Sequence, residues 1–241
     1  MGSNLIVTLF RYRPGEDPAP RFDTFEVPET KQMAILDVLT HIQNHQDRSL
    51  SFRYSCRIGM CGSCALFING RSRLACRTLV EGLETKNIRI RPLPNLPVIK
   101  DLTVDMAPFF DQYEKVKPYF VPKEERRDFY LVPEGAKERA LVDKMLECIT
   151  CGACFSSCTM VTTNPDYLGP AALNRAFCLI ADKRDGARDE RLRLVNGAEG
   201  VWRCHGQFNC MEVCPKNIIP TWSIQQLKKR CVFKKFGIDL A

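Results

Sequence analysis

The sequence predicts an α+β chain in two parts, a small sheet-and-helix unit followed by an all-helical one. Alternation carries the first part: Leu5, Val7 and Leu9 fall on one face of an extended run, with Ile6, Thr8 and Phe10 on the other. Helical periodicity carries the second, where Leu173, Ala176, Phe177 and Ile180 form one stripe. Between them Pro92, Pro94 and Pro97 break the pattern. The expected partition is residues 1–100, a connecting segment 101–138, and residues 139–241.

Each element follows from local chemistry. The first strand continues into Arg11-Tyr12-Arg13 and stops at Pro14-Gly15. Arg21 to Val27 is a second extended run. Met33, Ile35, Leu36, Val38, Leu39 and Ile42 repeat with helical period up to a boundary at Asp47. Ser55 to Cys64 is a loop rich in cysteine and glycine. Ala65 to Ile68 and Arg71 to Cys76 flank Asn69-Gly70, a dipeptide that favours a tight hairpin because both residues accept positive φ. Ile88 to Arg91 is a last short strand. A helix is expected near Val104 to Tyr113, before Pro118, Pro122 and Pro133. Helical patterning resumes near Lys137, and Thr221 is placed to cap a final helix with Ile224, Leu227 and Cys231 on one face.

Composition excludes several classes. Hydrophobic residues are 45% and charged residues 26% of 241, as in ordinary globular proteins, so disordered and collagen-like chains are out. No run is long and apolar enough to cross a bilayer. Met1 to Arg11 lacks the basic, apolar and small-residue succession of a signal peptide, so export is not expected. Thirteen cysteines in such a chain point to metal rather than to disulfides, and the odd number leaves one unpaired. The formal charge of +7 would by itself favour nucleic acid or acidic membrane as a partner.

The cysteine spacings are specific. Cys56-x4-Cys61-x2-Cys64, with Cys76 after eleven more residues, opens like plant-type 2Fe–2S ligation. Gly59 and Gly62 let backbone N–H groups approach the cluster sulfurs. Zinc also takes four thiolates, but usually from two separated knuckles rather than from one crowded loop. Cys148-x2-Cys151-x2-Cys154-x3-Cys158 is the bacterial ferredoxin run, whose fourth cysteine ligates the other cluster. Cys148, Cys151 and Cys154 then hold a 4Fe–4S cubane completed by Cys214, and Cys158 joins Cys204 and Cys210. Gln207 stands where a regular second motif has its middle cysteine, so that centre is expected as 3Fe–4S. Cys178 and Cys231 lie on apolar helix faces and read as buried small hydrophobes.

The chain resembles the iron–sulfur subunits of succinate dehydrogenase and quinol:fumarate reductase. Ser55-Cys56-Arg57-Ile58-Gly59-Met60-Cys61-Gly62-Ser63-Cys64, Leu74-Ala75-Cys76 and Asp101-Leu102-Thr103-Val104-Asp105-Met106 carry the likeness. So do Cys148-Ile149-Thr150-Cys151-Gly152-Ala153-Cys154, Asn164-Pro165, Gly169-Pro170-Ala171, and Cys204-His205 through Cys214-Pro215-Lys216. The similarity runs in order over nearly the whole chain. It implies a β-grasp 2Fe–2S ferredoxin domain followed by a helical, bacterial-type ferredoxin domain. It also implies electron transfer between FAD on a flavoprotein subunit and quinone at a membrane anchor, which often carries haem b. No dinucleotide loop or acid–base pair suggests catalysis in this chain, and His41 and His45 read as ordinary helix residues.

Further expectations come with the resemblance. The chain is placed on the cytoplasmic face of the inner membrane, with the residues 4–90 domain toward the flavoprotein and residues 139–241 toward the anchor. His205 follows a proposed ligand, and Lys228 sits where members place a lysine near quinone or haem propionate. Thr162 and Thr163 occupy the stretch where many succinate dehydrogenases carry a quinone-contacting tryptophan, and Thr159 replaces a common proline. That implies a rebuilt quinone pocket, nearer the fumarate reductase or menaquinone-linked type. Each oxidised cluster with its thiolates carries about −2, so three bring a holoprotein of formal +7 to about +1, which removes the argument for nucleic acid. Lys228, Lys229, Arg230, Lys234 and Lys235, interleaved with Phe233 and Phe236, are either a solvated helix end or a contact to an anionic leaflet or anchor. The rival readings are a thiol-linked fumarate reductase subunit and a free multi-cluster ferredoxin. The former often has a further cysteine-rich C-terminal domain, and this chain ends at Ala241.

Overall fold

Strand β1 (Asn4–Arg11) follows its sequence alternation: Leu5, Val7 and Leu9 are wholly buried, and the residues between them are half-exposed. In this computed structural model residues 4–125, 128, 129 and 132–238 are described. Positions 126, 127, 130 and 131 of the expected connecting segment, and residues 1–3 and 239–241, lie outside them. The chain forms two units, residues 1–106 with 149–157, and residues 107–148 with 158–241. The units thus divide at 106 rather than 100, and the short segment 149–157 belongs with the N-terminal one.

In the first unit β1 pairs antiparallel with β2 (Arg21–Pro28) and parallel with β5 (Asn87–Arg91). The hairpin of β3 (Ala65–Ile68) and β4 (Arg71–Leu74) completes a five-stranded sheet of order β2-β1-β5-β3-β4. Helix α1 (Ile35–His45) buries Ile35, Val38, Leu39 and Ile42, each contributing about 1.5–3 kcal/mol relative to exposure. Its start is tied down by Asp37, whose carboxylate accepts the Ala34 N–H at 2.9 Å. This is the β-grasp arrangement. Arg11, nearly buried, joins strand to loops: its guanidinium bonds Asp101 at 3.1 Å, Ser49 at 2.8 Å, and Asp47.

Two sequence expectations shift here. The hairpin strand ends at Leu74, and Cys76 falls in a 3₁₀ turn, Ala75–Arg77, rather than in the strand. Val104 belongs to a two-stranded ribbon, β6 (Val98–Lys100) with β7 (Thr103–Val104). Helix α2 begins only at Ala107, where Pro108 suits the first turn.

The second unit is built on α6 (Gly169–Ala181), which is buried nearly all round. α9 (Pro220–Lys235), α3 (Lys137–Leu146), α7 (Arg188–Val195) and α2 (Ala107–Glu114) pack on it. Buried Asn174 cross-links three of them: its amide donates to Met145 O at 2.9 Å and accepts from the Ser223 hydroxyl at 2.8 Å. Cys178 and Cys231 are buried as expected, with burial pushing their thiols up to about 12 and about 11. Thr221 does not cap α9; it is the second helical residue, behind Pro220, and points inward. Nor is the basic cluster a uniform solvated face. Lys234 pairs with Asp189 at 2.8 Å, Arg230 is buried over the Phe177 ring, and Lys228 turns toward Cys204. Among the described residues no helix is long and apolar enough to cross a membrane.

Candidate iron–sulfur centres

In the first unit the loop after Phe52 carries Cys56, Cys61 and Cys64, and the turn Ala75–Arg77 brings Cys76 beside Cys64. The Met60 and Cys61 N–H groups donate to Cys56 Sγ at 3.2 and 3.3 Å. Gly62, at φ +73°, and Gly59, at φ +76°, give the curvature that turns these amides inward. Cys76 reaches the group because its 3₁₀ turn is anchored by Ala75 N–H donating to Cys64 O at 3.0 Å. The thiols are not alike. A hydrogen bond with Ser63 at 3.0 Å, aided by Cys56, holds exposed Cys61 down at about 6. Burial pushes Cys64 up to about 12. Four sulfurs from one loop and one turn, with amides aimed at a sulfur, suit a small anionic cluster. Bound metal strips the proton from a coordinating thiol regardless of its resting pKa.

Cys151 and Cys154 sit on the 149–157 segment of the same unit, Cys154 within α4 (Ala153–Ser156). Cys148 and Cys214 belong to the second unit, where the Ile218 N–H donates to Cys214 Sγ at 3.4 Å.

The second unit gathers three further thiols around one pocket. Cys158, at the start of α5 (Thr159–Thr163), Cys204, and Cys210 in α8 (Asn209–Glu212) line it together with Gln207, His205, Tyr167 and Thr221. Burial pushes the Cys158 thiol up and Cys210 to about 11. Thr221 Oγ1 lies 3.3 Å from Cys210 Sγ. The Gln207 side-chain carbonyl accepts a hydrogen bond from the Thr159 hydroxyl. Tyr167, 1% exposed, has its phenol pushed well up by burial and by Cys204, Cys158 and Cys210. Lys228 Nζ donates to Cys204 O at 2.7 Å and lies 5.8 Å from the Trp202 ring centre. His205 is exposed at the rim.

Of the residues expected from spacing and resemblance, the pocket brings together Cys158, Cys204, Cys210, Gln207 and His205, and Lys228 reaches Cys204 O. Thr221 and Tyr167 were missed. In the sequence Thr221 reads as a cap, and Tyr167 offers only its proximity to Asn164-Pro165 as a signal. His41 and His45 pair with each other on α1, their rings 4.7 Å apart. No disulfide joins cysteines among the described residues, nor do three or more His, Cys, Asp or Glu side chains gather there for one metal ion. Cluster ligation differs, since each thiolate of a cubane takes a separate iron.

A β-grasp unit with four gathered thiols and a helical unit with a second cysteine series define a multi-cluster ferredoxin-type protein. Comparison with known proteins agrees. Residues 6–111 match the 2Fe-2S iron-sulfur cluster binding domain, and residues 144–218 match the 4Fe-4S dicluster domain. The fumarate reductase iron-sulfur subunit of Mycobacterium tuberculosis is 38% identical over 233 residues, 95% of this chain and 93% of that one. Its counterpart from Haemophilus influenzae is 37% identical, over 92% and 91% of the two chains. A chain of the Mycobacterium smegmatis Sdh1 complex in the apo form superposes with a TM-score of 0.88 at 26% identity, covering 98% of both chains. This chain belongs to the family of iron–sulfur subunits of fumarate reductases and succinate dehydrogenases.

Proposed function

We propose that this chain carries electrons between a flavoprotein subunit, where FAD exchanges them with succinate and fumarate, and quinone at a membrane anchor. Bound iron–sulfur clusters supply one-electron chemistry; the chain's part is to hold, space and tune them. Cys56, Cys61, Cys64 and Cys76 are assigned to 2Fe–2S, and Cys148, Cys151, Cys154 and Cys214 to 4Fe–4S. Cys158, Cys204 and Cys210 are assigned to 3Fe–4S.

The observation that carries the reading is the pocket in which three thiols face Gln207 instead of a fourth. An amide is a poor substitute for thiolate on iron, and its carbonyl is already engaged by Thr159. A centre there lacks one iron, whereas the matched domain family is described by two 4Fe–4S clusters.

The ends of the path are read from surface chemistry. Ile58 and Met60 on the 2Fe–2S loop are 66% and 58% exposed, which suits docking on the flavoprotein. Near the three-thiol pocket Trp202 and Phe208 are also exposed, beside Lys228 and His205. That surface suits an anchor at the cytoplasmic face of the inner membrane, with haem b on the anchor. At the quinone, His205 and Lys228 are assigned to proton handling and to neutralising developing negative charge. The test is purification from native membranes with identification of partners and cofactors. A heterotrimer or heterotetramer with FAD and quinone-reactive succinate oxidation or fumarate reduction is expected. A chain that purifies alone with its clusters would favour a free ferredoxin and overturn the proposal.

A further inference from the structure

We propose that Gly62 is a spacer, a positioning residue whose missing side chain sets the gap between the first thiolate set and the segment carrying Cys151 and Cys154. The inference rests on the cluster assignment above. Gly62 lies in the loop between Cys61 and Cys64. A Cβ placed on it would stand 2.7 Å from Cys151 Cβ, 2.9 Å from Cys151 Cα and 3.1 Å from Ile149 O. These are main-chain atoms and the first side-chain carbon, none of which can swing aside. The two ligand-bearing segments therefore meet backbone to backbone, and any side chain at position 62 must part them.

A second observation is that the 149–157 segment is held by hydrogen bonds of its own. Buried Ser72 and Ser156 hydroxyls are 2.9 Å apart, and the Ser157 hydroxyl donates to Ser72 Oγ at 2.9 Å. Asn95 Nδ2 donates to Ser156 O at 3.0 Å. This clip fixes the 149–157 segment on the hairpin, and Gly62 decides how closely the cluster loop approaches it. Gly59 provides the contrast. Its φ is also positive, at +76°, but the atoms nearest a Cβ there all belong to the Arg77 side chain, the nearest being Cγ at 2.8 Å. That side chain can yield by a rotamer change, which main-chain atoms cannot.

The step concerned moves one electron, with no atom transfer, from a reduced centre on Cys56, Cys61, Cys64 and Cys76 to an oxidised one on the Cys151 segment. The electron enters from the flavin side of the proposed path and leaves toward the quinone side. Tunnelling falls exponentially with the gap, and magnetic dipolar coupling falls with its inverse cube. In the intact cluster-loaded complex, with both centres reduced and paramagnetic, the coupling appears as splitting and broadening of the 2Fe–2S resonance. Gly62→Ala is expected to lose more of that splitting than Gly59→Ala, which shares the strain of a positive φ but meets no backbone of the Cys151 segment. Iron content and the separate cluster signals report on the assignment itself, so its failure would show there, whatever the splitting does. Unchanged splitting in Gly62→Ala overturns the spacer role, and so does an equal loss in Gly59→Ala, which would trace the effect to backbone strain. Should Gly62→Ala fail to assemble, Ser72→Ala decides: it removes the centre of the clip and is expected to spread the couplings, and an unaltered line shape overturns the proposal.

Discussion

Thr221→Val removes one hydroxyl from the three-thiol pocket and keeps the side-chain volume. Thr221 is 4% and Cys210 8% exposed, so water cannot replace the hydrogen bond, and Oγ1 stands 3.3 Å from Sγ. With Cys210 a thiolate ligand, the hydroxyl is the donor. A hydrogen bond to a charged group is worth about 1.5–3 kcal/mol. The added electron spreads over the cluster and its ligands, so about a third of that, roughly 0.5–1 kcal/mol, distinguishes reduced from oxidised protein. At 59 mV per 1.36 kcal/mol for one electron, the midpoint potential should fall by about 20–40 mV. The assay is a redox titration followed by paramagnetic resonance of the oxidised 3Fe–4S signal. Thr221→Ser should retain the parent potential. A parent-like midpoint in Thr221→Val, or an equal fall in Thr221→Ser, would refute the reasoning.

Other outcomes follow from the same geometry. Gln207→Cys places a fourth thiolate in the pocket and should convert the 3Fe–4S centre to 4Fe–4S, with a lowered potential and slower electron delivery to quinone; a persisting oxidised 3Fe–4S spectrum would refute the assignment of that position. His205→Ala and Lys228→Leu, with clusters intact, should lower quinone-linked turnover by about 10²-fold or more and keep succinate–dye activity; normal quinone kinetics in both would remove the roles. Burial alone would raise the Asp47 carboxyl, but hydrogen bonds from Ser49 and Arg11 hold it at about 2, below its ordinary 3.8. Its contribution, about 1 kcal/mol, is present above pH ~4 and lost as pH falls through 2; Asp47→Asn should flatten that part of the acid-unfolding curve, and an unchanged curve would contradict it.

Much of this was legible because iron–sulfur ligation leaves a spacing in the chain. The cysteine runs, the alternation of β1 and the stripe of α6 each express one local rule. What escaped were contacts between distant residues. Thr221 looked like a cap because a threonine precedes the helical stripe, yet Pro220 already suits the first turn and its neighbour turns toward Cys210. The hairpin pattern ran on to Cys76, but the chain curls at Ala75 so that Cys76 meets Cys64. From sequence Lys228 reads equally as a surface lysine, because nothing local marks the hydrogen bond its ammonium donates to Cys204 O. The return of residues 149–157 to the first unit has no period to read, since serine hydroxyls and one bare glycine make it.

The central claim, three clusters on eleven of the thirteen thiols, is tested most directly by counting iron and sulfide in the purified complex while recording its paramagnetic resonance. About 9 irons per chain are expected, with a 3Fe–4S signal in the oxidised protein and a 2Fe–2S signal on reduction. Stoichiometric zinc, or about 10 irons with no oxidised 3Fe–4S signal, would contradict it.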